Sequence, residues 1–210
     1  AQSRTIIDAP AIAPLETHRK TAEPGEADAY QRYQPGEDDV SPAALPGTPY
    51  GMHTAEGLEH DTAGRPSARA GDHRLQLDKR RDKLSRYDPG HDWAVVEGDG
   101  ALAVITWGSA TRPTREAVRR LHEAGVETRL IAVRLLSPPQ PVAMAAALAD
   151  AERALVIEHN HDGQFHRLLR ADYDWPLPLY ACHQPGPLPL RPGFLAERMR
   201  QHHPALEATP

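Results

Sequence analysis

Leu102-Ala103-Val104-Ile105-Thr106 decides how this chain is read. The run carries no charge, is rich in β-branched residues and lies between Gly100 and Gly108. So short an apolar stretch, without polar alternation, fits a strand buried on both faces inside a parallel sheet. Toward the C-terminus, Pro113 to Ala124 reads as a helix: Pro113 suits a first helical position and Gly125 stops it. Val126 to Val133 is a second strand, Val142 to Leu148 a second helix, and Ala154-Leu155-Val156-Ile157-Glu158 a third strand. A helix from about Gly163 to Arg170, a short strand from Leu177 to Ala181 and a terminal helix from about Phe194 to Arg200 complete the series. Strands alternating with such helices require right-handed crossovers. The expected fold is therefore α/β, a parallel sheet with helices on both faces, over residues 91–210. No internal repeat is present.

Residues 1–90 have a different character and read as a long irregular Pro/Gly-rich arm. The chain's 21 prolines and 15 glycines gather here and in the tail, where they set turns rather than build a core. A short apolar opening, Thr5-Ile6-Ile7-Asp8, precedes a polar stretch; Tyr30 and Tyr33 then flank Arg32, and turns follow from Ser41 to Gly51. A basic helical segment, Leu75-Gln76-Leu77-Asp78-Lys79-Arg80-Arg81-Asp82-Lys83-Leu84, has leucines too sparse for an apolar stripe. It is expected to lie on another surface through its long alkyl stems. Long loops of this kind are functional, disordered or ordered by a partner, and the expectation here is a partner.

Composition removes several classes of function. A net charge of -5 with no dominant basic face gives no footprint for nucleic acid. One cysteine, Cys182, excludes an internal disulfide framework, and a single thiolate does not hold an iron–sulfur cluster. A reducing, cytoplasmic compartment is the corresponding expectation. No apolar run approaches the roughly 20 residues that span a bilayer, so no membrane partner is expected. Opening on Ala1 rather than methionine fits a processed product, a proteolytic fragment or an internal piece of a longer polypeptide.

Each polar motif has a plainer reading beside the chemical one. Gly108-Ser109 can offer backbone N–H groups to a phosphate, but without G-x-G-x-x-G or a phosphate-loop lysine it reads as a strand-to-helix turn. Glu158-His159-Asn160-His161 with His166 has the ligand types of a metal site but not its spacing, since residues 161 and 166 share a helix face poorly. In Glu59-His60-Asp61 a histidine stands between carboxylates, yet sequence neighbours point different ways; turn hydrogen bonds and contacts with another subunit fit better. Ser41, Ser109 and Ser137 lack a nucleophile's setting, and Cys182 beside His183 reads as a buried small hydrophobe.

Taken in order, several motifs resemble a known family. They are Tyr30-x-Arg32-Tyr33, Val40-Ser41-Pro42, Leu45-Pro46-Gly47, Gly57-Leu58-Glu59-His60-Asp61 with Gly64, and Asp78-Lys79-Arg80 with Lys83-Leu84. Thr106-Trp107-Gly108-Ser109, Glu116-Ala117-Val118, Arg134-Leu135-Leu136-x-Pro138 and Glu158-x-Asn160-x-x-Gly163-Gln164 follow. The series is similar to the C-terminal third of the large (alpha) subunit of 2-oxoacid:ferredoxin oxidoreductases, the 2-oxoglutarate type in particular. The resemblance implies a transketolase C-terminal-like domain after an arm that leaves a pyrimidine-binding domain absent here. It implies oxidative decarboxylation of a 2-oxoacid with coenzyme A, giving an acyl-CoA and reduced ferredoxin. Thiamine diphosphate, magnesium and a [4Fe-4S] cluster would sit with a small subunit in a hetero-oligomer, and ferredoxin would be the acceptor. This chain would then hold no catalytic, cofactor or metal residue. Arg32, Ser41, Glu59, His60 and Asp61 would be its site-proximal or subunit-contact positions. Ala43 stands where the family often has arginine, and His159 and His161 where glutamine and an aromatic residue are common. Two alternatives stay open: the C-terminal domain of another thiamine enzyme, such as a transketolase or 2-oxoacid dehydrogenase, and a non-catalytic interaction module.

Overall fold

Strand β2 (Leu102–Trp107) forms the centre of a five-stranded sheet in the computed structural model, which describes residues 19–23 and 30–206. The opening Thr5 to Asp8 lies outside those residues. The chain divides into two units, Ala1–Arg86 and Tyr87–Pro210.

In the second unit β1 (Ala94–Glu97), β3 (Thr128–Val133), β4 (Arg153–Glu158) and β5 (Leu179–His183) join β2 in the order β1-β3-β2-β4-β5. Helices α2 (Thr111–Glu123), α3 (Pro141–Ala147), α4 (Gln164–Asp172) and α5 (Pro192–His202) form the connections and the end. β2 pairs in parallel with β3 (Leu102 opposite Thr128) and with β4 (Leu102 opposite Arg153), and β4 pairs in parallel with β5. Alternate residues of the strands feed two separate cores. Leu102, Val104, Leu155 and Ile157 pack under Leu121 of α2 and Leu195 of α5. Ala103, Ile105, Ile131 and Val156 pack under Met144 of α3 and Phe165 of α4. Burial on both faces is why β2 and β4 read as continuous apolar runs rather than alternating ones.

The sheet is not wholly parallel. β1 runs antiparallel along β3, with Ala94 opposite Val133 and Glu97 opposite Leu130. It was missed because Ala-Val-Val-Glu is short and half exposed, so it carries no buried-strand signal. The link back to β2 crosses the start of β3 closely: a Cβ on Gly98 (φ +77) would stand 2.6 Å from the Thr128 carbonyl oxygen. Helix α2 begins two residues before Pro113, after a tight turn at Gly108–Ala110, and β5 begins two residues later than expected.

The first unit contains α1 (Ala70–Ser85), whose only buried residue is Gln76. Leu75, Leu77 and Leu84 are 40%, 47% and 50% exposed, so the helix turns its leucines outward. No described residue of this unit has a buried apolar side chain; His60 and Gln76 are its buried polar ones. Hydrogen bonds and ion pairs order it instead.

Candidate functional site

The chain leaves β2 through α2 to β3 on one side, then crosses through α3 to β4 on the other. The carboxyl ends of β2 and β4 therefore flank the point where strand order reverses, the place where open α/β sheets bind ligands. A cavity of about 300 Å³ opens there, lined by Trp107, Gly108, Ser109, Glu158, His159 and Asn160. The Thr106 hydroxyl donates to the Ile157 carbonyl at 3.0 Å and ties the two strand ends together.

Most polar groups around this cavity are committed to local structure. The buried Glu158 carboxylate accepts the N–H groups of Phe165 (2.7 Å) and His166 (3.0 Å) and the Asn160 side-chain amide. The Asn160 side-chain oxygen, Oδ1, accepts from the N–H of Gly163 at 2.8 Å and of Asp162 at 3.1 Å. Gly163 adopts φ +64, which lets the loop turn into α4. Together these groups satisfy the amides at the start of α4, the usual task of capping side chains. His161 is exposed and paired with Asp162. Among the described residues no group of three or more His, Cys, Asp or Glu lies together to hold a metal ion. Gly108-Ser109 forms the tight turn before α2, with Gly108 at φ +59.

In the first unit the polar residues gather around Tyr33. Arg32 packs its guanidinium 5.5 Å from the Tyr33 ring centre and donates to the Ser41 carbonyl at 3.4 Å. The Ser41 hydroxyl donates to the Gln34 carbonyl at 2.7 Å and accepts from Lys79 Nζ at 3.3 Å. The Tyr33 carbonyl accepts twice, from Lys79 Nζ at 2.8 Å and Gln76 Nε2 at 3.2 Å. Burial, and then the nearby charges of Arg80, Arg32 and Lys83, push the Lys79 ammonium down to about 8.

His60 is buried with its ring 4.0 Å from that of Tyr33, and its Nδ1 meets the Leu58 carbonyl at 3.0 Å. Its flanking carboxylates point elsewhere. Glu59 makes a two-pronged pair with Arg80 at 2.9 and 3.2 Å, and that hydrogen-bonded guanidinium holds its carboxyl below the usual range. Asp61 accepts the N–H groups of Arg65 (3.0 Å) and Ala63 (2.9 Å), which lower its pKa in the same direction. Arg32 and Ser41 thus meet, and His60 joins them through Tyr33, while Glu59 and Asp61 serve a helix contact and a turn. Lys79 stood in a quoted motif and Gln76 in the basic helical segment, but their meeting at the Tyr33 carbonyl was not foreseen, because a polar residue among basic ones gives no sign of being turned inward.

Cys182 is buried, and burial raises its thiol pKa. A buried, protonated thiol is neither a nucleophile nor a cluster ligand.

No protein-family model matches the chain. It is 33% identical over 147 residues to the alpha subunit of 2-oxoacid:ferredoxin oxidoreductase 2 of Aeropyrum pernix, covering 68% of this chain and 23% of that protein. With the 2-oxoglutarate oxidoreductase subunit KorA of Mycobacterium tuberculosis it shares 30% identity over 171 residues, 80% of this chain and 25% of that one. Its fold matches a solved 2-oxoglutarate:ferredoxin oxidoreductase from Magnetococcus marinus, with 2-oxoglutarate, coenzyme A and succinyl-CoA bound. That match has a TM-score of 0.69 and 32% identity, over 87% of this chain and 32% of that chain. The chain spans about a quarter of the length of the curated relatives it matches. With relatives of this kind aligned along most of its length, the chain belongs to the family of 2-oxoacid:ferredoxin oxidoreductase alpha subunits, as one part of such a subunit.

Proposed function

We propose that this chain is the C-terminal portion of the large subunit of a cytoplasmic 2-oxoacid:ferredoxin oxidoreductase of the 2-oxoglutarate type. In this reading it supplies assembly and subunit contacts rather than reacting groups. The observation that carries the proposal is the likeness to the Magnetococcus marinus enzyme across 87% of the chain, a span that includes parts of both units. The reaction would convert 2-oxoglutarate and coenzyme A to succinyl-CoA and carbon dioxide, with the two electrons released passing singly to two ferredoxins. Thiamine diphosphate, magnesium and the [4Fe-4S] cluster would sit on partner chains. One cysteine cannot supply the four thiolates that such a cluster takes. Residues 1–90 would be the arm that follows the pyrimidine-binding domain. With no buried apolar side chain among its described residues, such an arm draws little stability from its own burial and gains by packing on neighbours.

Purification of the native, tagged chain from its source cells tests this. The expected result is a co-purifying polypeptide with thiamine diphosphate and iron, and 2-oxoglutarate- and coenzyme A-dependent reduction of a viologen dye. A chain that purifies alone and cofactor-free would overturn the reading. NAD-linked turnover through a lipoyl partner would replace it with a 2-oxoacid dehydrogenase.

A further inference from the structure

The second unit has an unpaired edge beside a cationic groove. β1 bonds to β3 on one side and to no described strand on the other. The N–H of Arg134 donates to the Trp93 carbonyl at 2.8 Å. Antiparallel alternation from that pair turns the backbone groups of Ala94 and Val96 outward, where nothing described pairs with them. Val95 and Val96 lie on opposite faces of this strand and are 37% and 44% exposed. Edge strands open to water are usually short, charged or covered. This one is short, but its two central residues are both valines.

On the Val95 face the edge opens into a groove of about 520 Å³. Val95 and Ala132 face it from this side of the sheet, Trp107 and Val133 border it at their strand ends, and Arg112, Arg115 and Arg134 line it. None of the described lining residues is acidic. The nearest ion-pair partners, Glu97 on Arg115 and Asp92 on Arg134, stand outside the lining and are themselves 41% and 79% exposed. Glu97 grips Arg115 in a two-pronged pair, with contacts at 2.9 and 3.0 Å, whereas the exposed Asp92–Arg134 pair is a single contact at 2.9 Å that is weakly held and can exchange with an incoming carboxylate.

We propose that the β1 edge and this groove receive an extended, carboxylate-bearing segment of a second, different polypeptide. Strand addition would satisfy the outward backbone groups of Ala94 and Val96, and Arg134 would read an acidic side chain on the groove face. A second copy of this chain fits worse, because pairing two β1 edges antiparallel takes a two-fold axis perpendicular to the sheet, which would set both groups of arginines side by side on one face. The proposal rests on the reading that this chain works with separate polypeptides, but not on which reaction they carry.

Benzoylphenylalanine placed at Val95 or Val96 of the native assembly tests it, with Tyr180 on the opposite edge strand as control. Irradiation should link positions 95 and 96, and not 180, to one stretch of a different chain that contains Asp or Glu, located by mass spectrometry. An intact assembly without such links, or links to another copy of this chain, would overturn the proposal. Arg134→Glu and Val95→Asp should each weaken association on the order of tenfold or more while the circular dichroism and melting of the free chain are unchanged. Unchanged association in both folded variants would also overturn it. If the links form in an assembly that lacks thiamine and iron, the surface stands and the enzyme reading falls. If no assembly exists, both fall.

Discussion

Glu158, the last residue of β4, accepts the N–H of Phe165 at 2.7 Å, so the strand closes the helix that follows it. The carboxylate also takes the N–H of His166 and sits at the positive end of α4. Glu158→Leu should lower unfolding stability by about 3 kcal/mol, because two amides and the Asn160 side chain lose a buried acceptor. Glu158→Gln keeps one acceptor oxygen and should cost about half as much. Urea denaturation at 25 °C measures both, and an unshifted midpoint for the leucine variant would refute the capping role.

Arg129 does the corresponding work at the other end of a helix. It is 6% exposed and donates to the carbonyls of Ala147 (2.9 Å), Ala149 and Asp99 (2.9 Å), just where α3 stops. A cation there meets the negative end of the helix and the carbonyls left without partners. Arg129→Met should destabilise the chain by about 3 kcal/mol, and Arg129→Lys by less, since one ammonium cannot reach all three oxygens. Thermal melts rank the variants, and equal melting of wild type and Arg129→Met would contradict this account.

Lys79 makes the pH dependence of the first unit run in an unusual direction. Its folded pKa is pushed down from 10.5 to about 8, so between those values the unfolded chain binds the extra proton. Stability from this group should therefore rise as pH climbs from about 8 to 10.5, and Lys79→Met should flatten that slope. A carbon-13 titration of the Lys79 side chain should show a midpoint near 8. A midpoint at the ordinary lysine value would remove the effect.

Cys182 should resist thiol reagents in the folded chain. Burial keeps the thiol protonated and out of reach, so native modification should be slower than in urea on the order of 100-fold. Rapid stoichiometric labelling of the native protein would mean that β5 and α5 open readily.

The sheet was legible where both faces are buried. Leu102 to Ile105 and Ala154 to Ile157 carry the whole signal in composition, because each side chain enters one of two cores. β1 was not, since an edge strand needs only a neighbour and leaves half its surface wet. At the candidate site a helix start near Gly163 was readable, but nothing in the sequence said that Glu158 would bend back to cap it. In the first unit the motif order was readable while the contacts were not. Gln76 and Lys79 converge on the Tyr33 carbonyl from 43 and 46 residues away, a meeting that no local pattern encodes.

The absence of a buried apolar side chain among the described residues around Tyr33 and α1 has a consequence for the life of the chain in the cell. Such a segment has little to keep it closed when it stands alone, and its backbone is then open to any protease that meets it. Surplus copies made in excess of their partners would be trimmed from this end first. The same weakness that makes the segment a poor independent fold would keep the numbers of its partners matched.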